Sequence, residues 1–515
     1  MTAGLTTRNG RALALKDVPS LEPSQFHGWL VNGVRDRRRR IVSYFGVADA
    51  PAGGPADGVS LVAVLADDAN GRLSVARTTC DGTAFPSIVP EVAQAHLFER
   101  EIAEQYGVKF DGHPWLKPVR YHRSYRPGHD AWGRPADAAI PPGVMDFFRV
   151  EGDEVHEVAV GPVHAGVIEP GHFRFQCHGE QVFHLEIALG YQHRGVERAL
   201  VGGPTKRTLP YMETVAGDTT IGHTLAYSQA VEALAGTPAS ARAHAIRGIA
   251  LELERLANHV GDLGALAGDV AYLPTAAYCG RLRGDFLNMT AEICGSRFGR
   301  GLVRPGGLGF DLVPGQVEPL KSRIVAARRD VTEAVELLWE TPSVRERFDR
   351  TGTLTAEDAD GLGLVGPVAR ACGIQRDVRH DFSAGIYRFV HLPVMTAHHG
   401  DVNSRAYVRW LEIQQSISFI LDQLDGLPAD GSGAIAVKTA AMRPETLVVS
   451  LTEGWRGEIC HVAMTDAAGR FSRYKITDPS FHNWIGLAFA LRDSQISDFP
   501  LCNKSFNLSY CGHDL

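Results

Sequence analysis

The stretch from Ala241 to Leu266 reads ARAHAIRGIALELERLANHVGDLGAL. Its residues Ile246, Ile249, Leu253, Leu256, Val260 and Leu263 recur at intervals of three and four, which places them on one face of an α-helix. A helix of about seven turns with a single apolar stripe needs partners, so the spacing predicts a long helix in the core of a helical bundle. Further helices are expected around Val317 to Trp339, Ala406 to Leu424 and Trp484 to Arg492. Upstream the period changes to two. His172 to Cys177 and Val182 to Ile187 alternate around His178-Gly179, and Leu61 to Leu65 and Leu73 to Thr78 flank Asn70-Gly71, so both pairs read as β-hairpins. A helix should follow the earlier hairpin, opened by Pro90, with Glu91 in its first turn and Val92, Ala95, Leu97, Phe98 and Ile102 on one face. Pro118 to Val144 collects Pro, Gly and Asp without periodicity and reads as a linker. The expected fold is α+β: a small α+β domain at 1–125, a linker at 126–155, and a mostly helical domain with β-hairpins at 156–515.

At 515 residues and 44% apolar content the chain exceeds what one ordinary core organises, which agrees with that division. A net charge of -7 and a pI near 6.3 provide no overall positive field, so neither nucleic acid nor anionic lipid is nominated as a partner. The basic run Arg35 to Arg40, interrupted by Asp36, reads as a solvated flank. Met1 to Ser20 has no apolar h-region, which argues against a secretory signal. Asp262 and Asp269 break the best candidate for an apolar run of roughly 18 residues, so no span is expected and membrane association must come through partners. The eight cysteines include no C-x-x-C pair, a reduced, cytosolic pattern that supplies no closely spaced thiolates for a cluster. No G-x-G-x-x-G follows a strand, so NAD binding is not expected.

Two sets of motifs are more specific. Phe85-Pro-Ser-Ile-Val-Pro90, His96-Leu-Phe-Glu-Arg-Glu101, Tyr106-Gly-Val108 and Gly112-His-Pro114 resemble the signature of the complex I C subunit, which also occurs in formate hydrogenlyase. Gly161-Pro-Val-His164, Gly190-Tyr-Gln-His-Arg-Gly-Val-Glu197, Pro210-Tyr211, His223, Ala230-Val-Glu232, Glu254-Arg-Leu-Ala-Asn-His259, Arg304-Pro-Gly-Gly307 and Gly373-Ile-Gln-Arg-Asp-Val-Arg379 resemble the complex I D subunit and the large subunit of energy-converting hydrogenases. The fused order is similar to that of hydrogenase-3 and hydrogenase-4 large subunits, and the resemblance spans about four fifths of the chain.

The resemblance also locates a departure. Active hydrogenases of this family hold nickel and iron with four thiolates from two C-x-x-C pairs, a soft donor set. A gapless register lays the upstream motif on Glu213-Thr-Val-Ala-Gly-Asp-Thr219, so the ligand positions hold Ala216 and Thr219. The downstream motif falls on Asn507-Leu-Ser-Tyr-Cys-Gly512, with Ser509 and Gly512 at the ligand positions and Cys511 one residue from the second. In this register Leu515 falls on the last residue of a processed hydrogenase, so the tail is expected to be buried against Glu213 to His223. The quinone ligands of the complex I D subunit do not carry over intact either. The Tyr position falls near Val215 to Gly217, where no Tyr stands, and either His164 or His172 matches the His. Glu197 matches a magnesium-binding Glu, but Leu515 replaces the terminal His of that site, so no metal is expected in this chain.

The ionisable groups left as candidates for the cavity or a proton path are Glu169, His172, Arg194, Glu197, Glu213, Asp218, His223, Asp377 and Arg379. An Arg and a Glu in adjoining motifs are more often a buried structural pair than a relay. His391, His398 and His399 read as loop histidines. The resemblance implies a subunit of a membrane-associated, complex I-like or hydrogenase-related oxidoreductase, held peripherally at the cytoplasmic face. Its implied partners are an iron-sulfur small subunit resembling the complex I B subunit, which would carry the cluster, and antiporter-like membrane subunits. The alternative is a catalytically silent scaffold of such a complex.

Overall fold

The computed structural model describes residues 4–49, 58–80, 84–164, 168–428 and 434–515. Strands β1 (Leu5–Thr7), β2 (Leu13–Ala14), β3 (Arg40–Asp49), β4 (Gly58–Asp67) and β5 (Arg72–Cys80) open the chain, with α1 (Pro23–Arg35) between β2 and β3. An antiparallel sheet forms in the order β1-β5-β4-β3, while β2 leaves it to pair elsewhere. The β4–β5 hairpin is the one expected from Asn70-Gly71: Gly71 takes a left-handed φ of 58°, and a Cβ there would stand 2.6 Å from the Asp381 carbonyl oxygen. Ala84–Pro86 (β6) and Lys109–Asp111 (β7) pair in parallel around α2 (His96–Tyr106). The helix does not open at Pro90. Val92 is not helical, with φ -136° and ψ 86°, and only a 3-10 turn at Ala93–Ala95 leads into α2, so Pro90 and Glu91 lie in the preceding turn.

From 112 to 154 the chain carries neither helix nor strand. Strands β8 (Val155–Val160), β9 (His172–His178) and β10 (Gln181–Ala188) then form a second antiparallel sheet, the last two being the expected hairpin. Short helices α3 (Val196–Leu200) and α4 (Thr208–Met212) precede α5 (Thr220–Ala235), α6 (Ala241–Asp269) and α7 (Leu273–Cys294). All six spaced residues of the opening stretch are fully buried on α6. They pack with α7, α8 (Pro314–Glu340) and α13 (Val402–Asp425) in one apolar core, which is the bundle. The two-residue strands β11 (Val303–Arg304) and β12 (Gly307–Leu308) and the short helices α9 (Pro342–Phe348), α10 (Ala356–Gly361), α11 (Gly366–Ala371) and α12 (Val378–Asp381) connect its longer members. No helix among the described residues is long and apolar enough to cross a membrane.

A third sheet, not expected from the sequence, follows the bundle. Strands β13 (Thr446–Gly454), β14 (Gly457–Thr465) and β15 (Phe471–Thr477) run antiparallel, and β2 joins at the edge of β13. Every residue of β13 and β14 is buried, because both faces are covered. On one face Val449, Leu451 and Val462 meet Phe45, Val62 and Val64 of the N-terminal sheet. On the other, Val448, Ala463, Tyr474 and Ile476 meet Tyr227, Ala230 and Val231 of α5. The result is helix, sheet, sheet and helix in succession, with the strand period of two sending alternate side chains to opposite neighbours. Helices α14 (Pro479–Ala490), α15 (Phe499–Phe506) and α16 (Tyr510–Asp514) close the chain against the β8–β10 sheet.

Candidate functional site

The Glu213–His223 segment meets the C-terminal residues inside the protein. Arg194 joins them: its guanidinium donates to the carbonyls of Thr214 (2.6 Å), Val215 (2.9 Å) and Cys511 (3.0 Å). Ala216, Thr219, Ser509 and Gly512 are all buried here. The Trp455 indole N–H donates to Thr219 Oγ1 and to the Asp218 carbonyl, each at 3.1 Å. Arg456 grips the Asp218 carboxylate at 2.6 and 2.8 Å and donates through Nε to the Asn507 carbonyl at 2.5 Å. Burial works to raise the Asp218 carboxyl, but Arg456 outweighs it and holds the group below its ordinary range. Ser509 Oγ caps α16 by accepting from the Gly512 N–H at 2.9 Å. A Cβ on Gly512 would stand 2.7 Å from Asp478 Cγ, so no side chain fits there unless Asp478 moves.

Asp478 begins a buried chain of four polar groups. Its Oδ2 lies 3.1 Å from His223 Nε2, His223 Nδ1 lies 3.1 Å from His461 Nε2, and His461 Nδ1 lies 2.9 Å from the Tyr474 hydroxyl. Asp478 is 1% exposed at its side chain, and both His rings and Tyr474 are fully buried. Burial tends to raise Asp478, yet the hydrogen bond from His223 and the Arg456 charge bring it below its usual value, so it is a carboxylate. Burial, then the neighbouring His223, push His461 well below its ordinary value, so that ring is neutral. One arrangement of protons satisfies every contact: Tyr474 donates to His461, His461 to His223 and His223 to Asp478. Beside this chain, the half-buried Glu254 accepts the Ile221 and Gly222 N–H groups at 2.7 and 3.1 Å, and burial pushes its carboxyl up to about 8. Burial, with Glu169 adding to it, pushes the Cys511 thiol up to about 11.

The other ionisable residues noted in the sequence are divided among separate clusters. The Glu197 carboxylate is held by Lys475 Nζ (2.9 Å), Arg473 (2.9 Å) and the Ile476 N–H (3.0 Å); Lys475 also reaches Glu101 at 2.8 Å, and Arg120 pairs with Glu101. Two cationic side chains thus occupy the surroundings of Glu197. Asp377 and Arg379 pair at 2.7 Å within a third cluster, where Arg379 reaches Glu252 at 3.1 Å and Arg370 bonds Glu412 (2.9 Å) and Glu453 (2.7 Å). Glu213 accepts the Gly301 N–H at 2.6 Å. His172 lies against the Gly161 carbonyl at 3.2 Å and accepts from Arg174 at 3.3 Å, and His164 lies 2.9 Å from the Gly171 carbonyl. The residues between His164 and Ile168 lie outside the described set. Of the nine, then, Glu169, Arg194, Glu213, Asp218 and His223 share the 213–223 region, and Glu197, His172 and the Asp377–Arg379 pair do not.

A cavity of about 580 Å³ lies between α2, β10 and α14 and reaches His513 of α16; Leu97, Trp115, Ile187, Trp484 and Phe489 give it mostly apolar walls. Among the described residues, no three His, Cys, Asp or Glu side chains are arranged to hold a metal. His461, Tyr474 and Lys475 on β14 and β15, and Trp455 and Arg456 in the turn between β13 and β14, carry no local signal in the sequence that marks them for the site. Asp478 carried a local signal, since an Asp followed by Pro and Ser is a helix start, and it does cap α14 by accepting from Ser480 N at 2.8 Å.

Comparison with known proteins accounts for this layout. The family described as "Respiratory-chain NADH dehydrogenase, 30 Kd subunit" matches residues 29–132, and the one described as "Respiratory-chain NADH dehydrogenase, 49 Kd subunit" matches residues 269–447. Formate hydrogenlyase subunit 5 of Escherichia coli is 30% identical over 83% of this chain and 76% of its own length. The chain belongs to this family of fused complex I and hydrogenase subunits. Within the family, hydrogenase-4 component G of Escherichia coli is 28% identical over 84% of this chain and 76% of its own length. The C/D component of the NADH-quinone oxidoreductase of Bdellovibrio bacteriovorus is 24% identical over 85% of this chain and 84% of its own length. The α+β fold, with its small N-terminal sheet and helical bundle, is the fold that membership implies.

Proposed function

We propose that this chain is a nickel-free large subunit, which relays redox-linked changes from an iron-sulfur small subunit to antiporter-like membrane partners at the cytoplasmic face. Gly512 supports this reading most directly. In the gapless register it stands at a thiolate position, yet a Cβ there would meet Asp478 Cγ at 2.7 Å, and Asp478 is already bonded to His223. Ala216 and Thr219 supply no sulfur, and neither does Ser509, so the residues present do not fit a nickel-iron centre. Lys475 and Arg473 hold the Glu197 carboxylate, which leaves it unsuited to magnesium as well. We place the unit boundaries at 1–125 and 156–515, with 126–155 as the connection.

The side chains of Trp455 and Arg456 that fill the junction favour a second reading, a catalytically silent scaffold. A His223→Phe variant of the complete assembly separates the two. If the buried Tyr474–His461–His223–Asp478 chain takes part in turnover, the variant assembles with its partners but loses most electron transfer through the complex. If assembly and electron transfer both stay at wild-type levels, the chain is a scaffold.

A further inference from the structure

Away from these clusters, five separate segments build a basic bowl of about 740 Å³. Five of its nine lining residues are arginines: Arg8, Arg11, Arg72, Arg388 and Arg443. The other four are uncharged, so no Asp or Glu faces the space. Arg8 and Arg11 precede β2, Arg72 opens β5, Arg388 lies in the 3-10 turn Gly385–Phe389, and Arg443 lies just before β13. Among the described residues, Arg8, Arg11, Arg72 and Arg388 donate no side-chain hydrogen bond and join no ion pair. Arg443 alone is engaged, donating to the Leu234 and Ala233 carbonyls at 3.2 and 2.5 Å.

This convergence is built by the backbone and does not follow from composition, since the chain carries a net charge of -7. The loop bearing Arg8 and Arg11 is pinned by the buried Asn9. Its amide donates to the Phe382 and Leu451 carbonyls at 2.7 and 3.0 Å, its oxygen accepts the Leu451 N–H at 2.8 Å, and the Gly10 N–H bonds the Val449 carbonyl at 2.9 Å. Like charges held together without counter-charge raise the potential inside the concavity and attract an anion. A monovalent ion would leave most of that charge uncompensated. The guanidinium fork matches phosphoryl oxygens in pairs, and the volume is that of a small-molecule site.

We propose that this bowl binds a soluble anion carrying two or more phosphoryl groups. No aromatic ring lines it, so the phosphate chain is recognised and not a nucleobase. Anionic lipid headgroups share the phosphoryl chemistry, but the lining offers no large apolar side chain to enter a bilayer. The inference is independent of the redox reading.

The test is calorimetric titration of the full chain, in the assembly with which it purifies, using inorganic triphosphate and orthophosphate at physiological salt. The expected result is one triphosphate per chain, bound at least about tenfold more tightly than orthophosphate and weakened about tenfold or more in an Arg11→Ala/Arg388→Ala variant. Because both side chains are solvent-exposed, the variant should unfold at the wild-type temperature, which distinguishes lost binding from lost structure. Absence of saturable binding, equal affinity for the two anions, or binding indifferent to the double substitution would overturn the proposal. Capture of the chain by anionic phospholipid vesicles that excess triphosphate fails to displace would overturn the assignment to a soluble anion.

Discussion

Gly512 and Asp68 show how single residues set the limits of this protein. Because a Cβ at 512 meets Asp478, Gly512→Ala should destabilise the chain by about 1–3 kcal/mol, the usual range for overpacking a filled interior. Thermal unfolding of the purified variant checks this, and an unchanged midpoint would mean that Asp478 yields freely. Asp68 sits at the β4–β5 turn and reaches across to Arg376 at 2.8 Å as well as to Arg40 at 3.0 Å. Burial would raise its carboxyl, but the two guanidinium groups hold it at about 2, below the ordinary 3.8. The folded value is the lower one, so this contribution is present above pH 4 and is lost as the pH falls from about 4 through 2. The difference corresponds to roughly 2 kcal/mol. Asp68→Asn should therefore lower stability by about that amount at pH 7 and flatten the acid limb between pH 4 and 2, as read from unfolding midpoints across that range.

Among the elements, α13 ties the bundle to its surroundings through one carboxylate. Glu412 accepts from Arg370 of α11 at 2.9 Å and lies 2.9 Å from His259 of α6, with all three side chains fully buried. Removing one partner leaves buried charge uncompensated, so Glu412→Ala should cost about 3–5 kcal/mol in denaturant unfolding. A loss below about 1 kcal/mol would show that water or a rearranged Glu453 replaces it. Of the bundle helices, α6, α8 and α13 were legible because each has one apolar face, and α6 carried its signal in six residues; α7 was not expected from the sequence. Strands β13 to β15 were not, since burial on both faces removes the alternation that marks a half-buried strand. Missing those strands hid His461 and Tyr474 and, with them, most of the buried chain that reaches His223. The helix starts after Pro90 for a local reason: the residues that follow it pass through a non-helical Val92 and a 3-10 turn before α2.

For the molecule as a whole, the N-terminal sheet is packed face to face on the β13–β15 sheet, and β2 is a strand of that C-terminal sheet. Local sequence patterns identify the β4–β5 hairpin on one side of this contact, but neither the β13–β15 sheet on the other side nor the contact itself, which joins residues some 400 positions apart. The same limit hid the arginine bowl, because a net charge of -7 says nothing about where five remote arginines converge. The C-terminal residues are equally dependent on tertiary structure. Leu515 is 2% exposed, and its carbonyl accepts the Arg194 and Gly195 N–H groups at 3.3 and 3.1 Å. A tag appended after Leu515 should therefore reduce recovery of assembled protein, whereas one placed before Met1 should be tolerated; equal recovery of the two forms would argue against this packing.

A large subunit that works without a nickel-iron centre, as proposed for this chain, has a direct elemental signature. Elemental analysis of the complete assembly, purified after co-expression with hydrogenase maturation proteins, tests it most directly. The expected result is iron from the partner's cluster, no stoichiometric nickel and no hydrogen evolution, whereas one nickel per chain would overturn the proposal.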